Sequence, residues 1–298
     1  MRVFVTGATG FVGSAIVLEL IKAGHEVLGL ARSEEAAKAL LSAGAKVHRG
    51  DLDDLESLRS GAASADAVIH TGFNHDFSRF KENCEKDGLV IQAMGEALVG
   101  SDRPMIVTSA IGVLMPSGRF AVENDRPGES TNPRAVSEEA ADKVAARGVR
   151  ISVVRLPPSV HGEGDHGFVP ILINIAREKG ISVYRGEGLN RWSSVHRIDA
   201  ANLFRLALEK NADPGTRYHA IAEEGVLFHD IAQTIGKRLN IPVMSKTSEE
   251  AATHFSWFAY FSGLDCPASG NQTREQLAWL PSQPDLLTDL DSKSYFPV

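Results

Sequence analysis

The stretch Thr6-Gly7-Ala8-Thr9-Gly10-Phe11-Val12-Gly13 holds the first residues whose types and spacing can do chemistry. Gly7 permits a tight turn, Gly10 lets the backbone approach a ligand, and Gly13 lets a following helix pack close to a preceding strand. If a helix opens here, its first amides lack partners and carry partial positive charge, which suits a diphosphate. The elements that must position this turn are present. Val3-Phe4-Val5 reads as a strand, and Ala15 to Lys22 reads as a helix ending at Gly24. A strand before and a helix after separate a dinucleotide-binding fingerprint from a glycine turn without a ligand.

Strand and helix patterns alternate from there on. Strands are expected at Val27–Ala31, Lys46–Arg49, Ala67–His70, Met105–Thr108 and Val149–Arg155. Helices are expected at Glu34–Ser42, from about Asp54, at Asn83–Val99 and at Ser137–Arg147. Regular alternation with short connections implies an α/β fold, a Rossmann-type doubly wound parallel sheet. Ligands of such sheets bind beyond the carboxyl ends of the strands, so the residues following each strand are the informative ones.

Arg32 follows the second strand. An acidic residue there would grip the ribose diol of NAD, whereas an arginine pairs with the 2′-phosphate of NADP, with Ser33 adding a hydrogen bond. NADP(H) is therefore the preferred cofactor, with NAD(H) as the alternative. After the third strand, Asp51 can accept from the adenine amine and Leu52 can cover a ring face; Asp51 serves equally well as a helix cap. After the fourth strand, His70-Thr71-Gly72 places backbone near the second ribose and the diphosphate.

Composition narrows the classes. The 298 residues carry a net charge of −7, which provides no basic footprint for nucleic acid. No apolar run reaches the ~18 residues of a membrane span, and because the chain enters a strand at once no leader is expected. The two cysteines, Cys84 and Cys266, lie in no metal-like spacing and suit a reducing, cytoplasmic setting. No metal is expected: His161-Gly162-Glu163-Gly164-Asp165-His166 matches no helical or zinc-loop spacing.

With these residues in place, the chain resembles extended members of the short-chain dehydrogenase/reductase superfamily, the epimerase/dehydratase branch. The resemblance rests on Thr6 to Gly13, Gly50-Asp51-Leu52, Asn83, Thr108-Ser109 and Arg155-Leu156-Pro157-Pro158-Ser159-Val160-His161-Gly162. It continues through Arg191 to Ala201, similar to a substrate-arginine and Val-His-x-x-Asp segment, and through Leu277 to Pro281. It implies that Thr108, Pro157 and Val160 line the cofactor and that Arg191 meets an anionic substrate group; a surface salt bridge is the competing reading of Arg191. It also implies a homodimer through two long helices.

The same resemblance exposes a departure. Family members use a tyrosine as acid/base with a lysine four residues on, and a serine that orients the carbonyl. Ser109 occupies the serine position. Where Tyr-x-x-Ser-Lys is usual, this chain reads Arg134-Ala135-Val136-Ser137-Glu138, and its four tyrosines lie elsewhere. Glu138 could accept from the nicotinamide ribose, and Arg134 could stabilise negative charge on a substrate oxygen. Arg134 cannot give up its proton near neutrality, so a histidine is needed, with His161 first and His70 and His166 behind it. The plain alternatives are an exposed Arg134–Glu138 ion pair and a backbone-bonded His161.

After residue 166 the alternation becomes irregular. Residues 1–166, rejoined by 194–222, are expected to form the dinucleotide-binding domain. Residues 167–193 and 223–298 are expected to form a small α+β substrate-binding lobe. Glu249–Phe261 reads as an aromatic-rich helix, for core packing or an apolar pocket, and the tail from Lys293 as loosely held. The functional expectation is an NADP(H)-dependent oxidoreductase of a small carbonyl or alcohol. Competing readings are a non-catalytic NADP(H) sensor and a sugar-nucleotide epimerase or dehydratase.

Overall fold

The computed structural model describes residues 1–114, 118–128 and 132–296. The alternating half comprises β1 (Arg2–Thr6), α1 (Phe11–Lys22), β2 (Glu26–Ala31), α2 (Glu34–Ser42), β3 (Lys46–Arg49), α3 (Leu55–Ala63) and β4 (Ala67–His70). It continues with α4 (Phe80–Glu96), β5 (Met105–Ala110), α5 (Ala135–Ala145) and β6 (Ile151–Leu156). The remainder runs β7 (Ser159–His161), α6 (Phe168–Lys179), β8 (Ser182–Arg185), β9 (Arg191–His196), α7 (Arg197–Glu209), β10 (Thr216–His219) and β11 (Glu223–Leu227). It closes with α8 (Phe228–Leu239), β12 (Val243–Lys246), α9 (Ser248–Phe255), α10 (Ala259–Ser262), α11 (Asn271–Leu277) and α12 (Leu286–Leu290).

Seven strands form one parallel sheet in the order β10-β6-β5-β4-β1-β2-β3. The order reverses between β1 and β4, where Thr6 lies opposite His70, so this is where a ligand crevice opens. Period-two alternation serves both faces. Val3 and Val5 enter a core with Ile16 and Leu20 of α1 and Leu203 and Phe204 of α7. Phe4 points the other way, into a core with Leu58 of α3, Ile91 of α4 and Val144 of α5. Each such side chain contributes about 1.5–3 kcal/mol on burial, so the paired cores hold the sheet edge rigid.

A third core, around Trp192, Phe228, Ile231 and Phe258, belongs to the small lobe, whose strands pair as β11-β9-β7 and β12-β8. The boundary expected at 193/194 falls inside β9, which pairs with β7 from the preceding segment. The expected helix over Glu249–Phe261 is broken at Ser256, whose φ of 53 forces a turn between α9 and α10. The tail is packed, since Tyr295 and Phe296 are buried; Pro297 and Val298 lie outside the described residues. Cys84 and Cys266 are buried free thiols, pushed up by burial to about 11 and about 12. Among the described residues no helix is long and apolar enough to cross a membrane.

Candidate dinucleotide site and reaction cleft

The glycine turn sits at the carboxyl end of β1. Gly7 has φ +65, and a Cβ there would lie 2.6 Å from the amide nitrogen of Gly72. A Cβ on Gly13 would lie 2.0 Å from the Gly7 carbonyl oxygen. Only glycine fits either place. Gly10 is the N-cap of α1 and no side chain caps it, so the first-turn amides at Phe11, Val12 and Gly13 face the loop. Thr9 and Gly10 are exposed around them. Thr71 Oγ1 donates to the Thr6 carbonyl at 2.9 Å, and the Gly72 amide donates to Thr6 Oγ1 at 3.2 Å, pinning the β4 loop against the turn. These features fit a dinucleotide: a narrow backbone cradle at a helix N-terminus, open on one side.

Arg32 is exposed beyond β2, with no side-chain partner among the described residues. Ser33 is the N-cap of α2, its Oγ accepting from the Ala36 amide at 3.2 Å. Arg49, which sequence reading passed over, donates to the Ser33 carbonyl and to Glu34 at the same edge. Asp51 accepts from the Asp53 amide at 3.0 Å, while the cap of α3 is Asp54. Leu52 lies beside Gly72. Thr108 Oγ1 donates to the His70 carbonyl at 2.8 Å. Pro157 is buried, and half-buried Val160 packs on the core of α1 and α7.

The reaction end departs from expectation. Arg134 and Glu138 do not pair; each belongs to its own network. Arg134, the N-cap of α5, donates through Nη1 to Asp87 Oδ2 at 2.6 Å and to Ser137 Oγ at 2.7 Å. Its Nη2 donates to the Thr108 carbonyl at 3.0 Å, and its face covers the Phe73 ring at 4.2 Å. Asp87 is buried and also accepts from Ser137 and meets His70 Nε2 at 3.0 Å. Burial alone would raise the Asp87 pKa, but Arg134, His70 and Ser137 hold it down at about 2.

Glu138 is 1% exposed, and both oxygens are taken by Arg155, at 2.8 Å from Nε and 2.7 Å from Nη2. Burial opposes its charge, but Arg155, Ser109 and Arg217 outweigh it and lower the Glu138 pKa. It therefore cannot reach a ribose. Ser109, also buried, donates its proton to Glu138 Oε1 at 2.9 Å, which removes it as a carbonyl-orienting group. His161 is 1% exposed, bonded to Asp289 at 2.9 Å and edge-on to His196, so it is no proton source for the cleft. His70 is likewise enclosed between Thr6 and Asp87. Arg191 pairs with Asp265 at 2.9 Å and lies over Phe120, which is the surface salt bridge reading.

What sequence reading missed lies in the loop after β4. Exposed His75 sits edge-on to Phe73 at 5.2 Å. Loss of hydration among its neighbours, then the charges of Arg134 and His166, lower its pKa below the ordinary value. Phe77 stacks on Trp257 at 5.8 Å and meets Phe80, Phe168 and Phe261, which joins this loop to the small lobe. Asp87 had a legible signal: an acidic residue on the face of α4 that also buries Cys84, Gly88 and Ile91. An open depression of about 340 Å³ around Met1, Asp66, Asp102 and Arg150 lies at the amino ends of the strands, away from all of this.

A known family, described as NAD(P)H-binding, matches residues 7–184, the span that begins in the glycine turn. The chain belongs to this NAD(P)H-binding family. Its relatives include uncharacterized proteins of Schizosaccharomyces pombe, 52% identical over 99% of this chain and 100% of theirs, and of Saccharomyces cerevisiae, 48% identical over 97% and 98%. A UDP-glucose 4-epimerase of Streptomyces lividans is 27% identical over 96% of this chain and 93% of its own. The fold matches a nucleoside-diphosphate-sugar epimerase from Pseudomonas aeruginosa with a TM-score of 0.77, at 18% identity, over 97% of this chain and 95% of that one. In sequence the chain is similar to a named epimerase and a named dehydrogenase, and it shares the Rossmann-type parallel sheet of the epimerase structure. It is related to NAD(P)-dependent dehydrogenases and epimerases.

Proposed function

We propose that this protein is an NADP(H)-dependent reductase of small carbonyl compounds, working also in the alcohol-oxidising direction. The observation that carries this reading is the anchored Arg134 guanidinium on the sheet edge that bears the glycine turn. When bound, NADP(H) supplies the hydride. The 2′-phosphate would lie against Arg32, Asp51 and Leu52 would flank the adenine, and the turn would hold the diphosphate. Arg134 keeps N–H groups beyond those given to Asp87, Ser137 and Thr108, and its position over Phe73 leaves an edge free to hydrogen-bond a substrate oxygen. That edge stabilises charge as the carbonyl becomes an alkoxide.

His75, facing the same field, replaces His161 as the proton donor in this reading. The aromatic cluster of Phe77, Phe168, Trp257 and Phe261 supports an apolar substrate body. Arg191, held by Asp265, lends no support to a sugar-nucleotide substrate. A homodimer through α4 and α5 belongs to the same proposal, supported by Leu89 exposed on α4.

One observation favours a binding-only reading. Ser109 and Glu138, at two of the three positions where relatives carry their machinery, are sealed in a buried ion-pair network. Arg134→Ala separates the readings. Loss of carbonyl-dependent NADPH oxidation with NADPH affinity kept supports the reductase; no such oxidation in the wild-type protein supports the sensor.

A further inference from the structure

We propose that Arg197, the first residue of α7 and outside the family-matched span, grips the diphosphate of the bound dinucleotide from the side opposite the glycine turn. This rests on the dinucleotide reading of that turn. The Arg197 guanidinium lies over the Phe11 ring, 4.6 Å from its centroid, and Phe11 is the first residue of α1. Its Nη2 donates to Ser14 Oγ at 2.9 Å, and its Nη1 to the Glu163 carbonyl at 2.8 Å. Its Nε is buried without a partner among the described residues.

Among the described residues no carboxylate pairs with Arg197 within 4.0 Å, although the side chain is only partly hydrated. The location is electrostatically wrong for a lone cation. The uncapped N-terminus of α1 presents the positive end of its dipole, which favours anions and opposes guanidinium. Burial lowers the Arg197 pKa, with only exposed Glu163 acting against it.

The fold nevertheless makes room for this side chain. Gly162 adopts φ +136, and a Cβ there would lie 2.9 Å from Arg197 Cγ. A guanidinium seated beside a helix N-terminus is explained by an anion that satisfies both. A diphosphate meets a planar guanidinium fork through two oxygens, and it meets the α1 amides through others. The contact would tie α7 and the Gly162–Gly167 loop to the cofactor. Arg197 is also a tie between that loop and α1, and a purely structural role makes different predictions.

The test compares two ligands on the full chain: NADPH, and adenosine 2′-monophosphate, which has the ribose phosphate but no diphosphate. For Arg197→Met, NADPH affinity should fall about tenfold or more, the size of a lost charge-assisted hydrogen bond, while adenosine 2′-monophosphate affinity stays unchanged. Arg197→Lys, which keeps charge and bulk but loses the fork, should fall in between, and carries the test if the methionine variant does not fold. Equal NADPH affinity in variant and wild type overturns the proposal, as does an equal loss for both ligands. Failure of the wild-type protein to bind NADPH or NADH would instead remove the dinucleotide reading itself.

Discussion

Asp87 of α4 and Arg134 at the start of α5 form a 2.6 Å ion pair, with Asp87 buried and Arg134 half-buried. The pair converts a surface cation into a fixed one. It also gives Arg134 two loads in the proposed reaction, since it ties α4 to α5 and is the group proposed to meet the substrate oxygen.

Removing the guanidinium should therefore cost stability as well as chemistry. Arg134→Met leaves Asp87 charged and buried, a loss of about 3–5 kcal/mol. Denaturant unfolding measures it. The double variant Arg134→Met, Asp87→Leu should recover most of that loss without recovering turnover, because no charge is then stranded. Recovery of neither would mean that the pair is not the source of the cost.

Glu138→Gln separates a ribose ligand from a buried counterion. With Glu138 enclosed by Arg155, Ser109 and Arg217, the substitution strands positive charge and should lower stability by about 3–5 kcal/mol. NADPH affinity should stay within about twofold, since the carboxylate meets no ligand. A large affinity loss in a stable variant would restore the ribose role.

Acid should unfold the protein through the same region. His219, against Arg155, is held down at about 4 by burial and by that guanidinium. Its folded pKa lies below its unfolded value of about 6.5, so the unfolded chain binds the extra proton between those values. Its contribution is complete above pH ~6.5 and is lost as pH falls towards ~4, on the order of 3 kcal/mol. Asp87, held at about 2, adds a second loss below pH ~4. Melting temperature against pH should fall across both windows, and His219→Gln should flatten the upper one.

Cofactor choice is read by Arg32→Asp. The exposed guanidinium gives way to a carboxylate that repels a 2′-phosphate and accepts from a ribose diol. The ratio of NADPH to NADH affinity should shift about tenfold or more towards NADH. An unchanged ratio removes Arg32 from cofactor selection and turns attention to Arg49.

His75 should govern the pH profile of reduction. A histidine whose pKa is lowered loses its donor proton as pH rises through a value below the ordinary ~6.5, so kcat should fall above it. In His75→Gln that limb should vanish along with most of the rate. A profile unchanged in this variant assigns the proton to another group.

The dinucleotide half was legible because local physics dictates it. Gly7 and Gly13 are required by backbone approach alone, and short apolar runs such as Ala67-Val68-Ile69, set between helical patterns, read as buried strands. The reaction end was not. The i,i+4 spacing of Arg134 and Glu138 predicts a shared face, but partners from other elements, Asp87 and Arg155, draw the two side chains apart. His161 read as an open loop histidine because β7 and β9 pair across 35 residues, as His161 and His196 do. Short strands joined at that distance leave no local period. The Ser256 break within the aromatic helix was hidden for the opposite reason, since helical spacing continues through it.

The most direct test is hydride transfer from NADPH carrying deuterium on the transferred position. The protein would be incubated with it and a panel of aldehydes, ketones and sugar nucleotides, and the products examined by mass spectrometry. Deuterium is expected on the carbinol carbon of an alcohol derived from an apolar aldehyde or ketone, with no labelled product from Arg134→Ala. Label retained in Arg134→Ala, or no labelled product from the wild-type protein while NADPH is demonstrably bound, would contradict the proposed reaction.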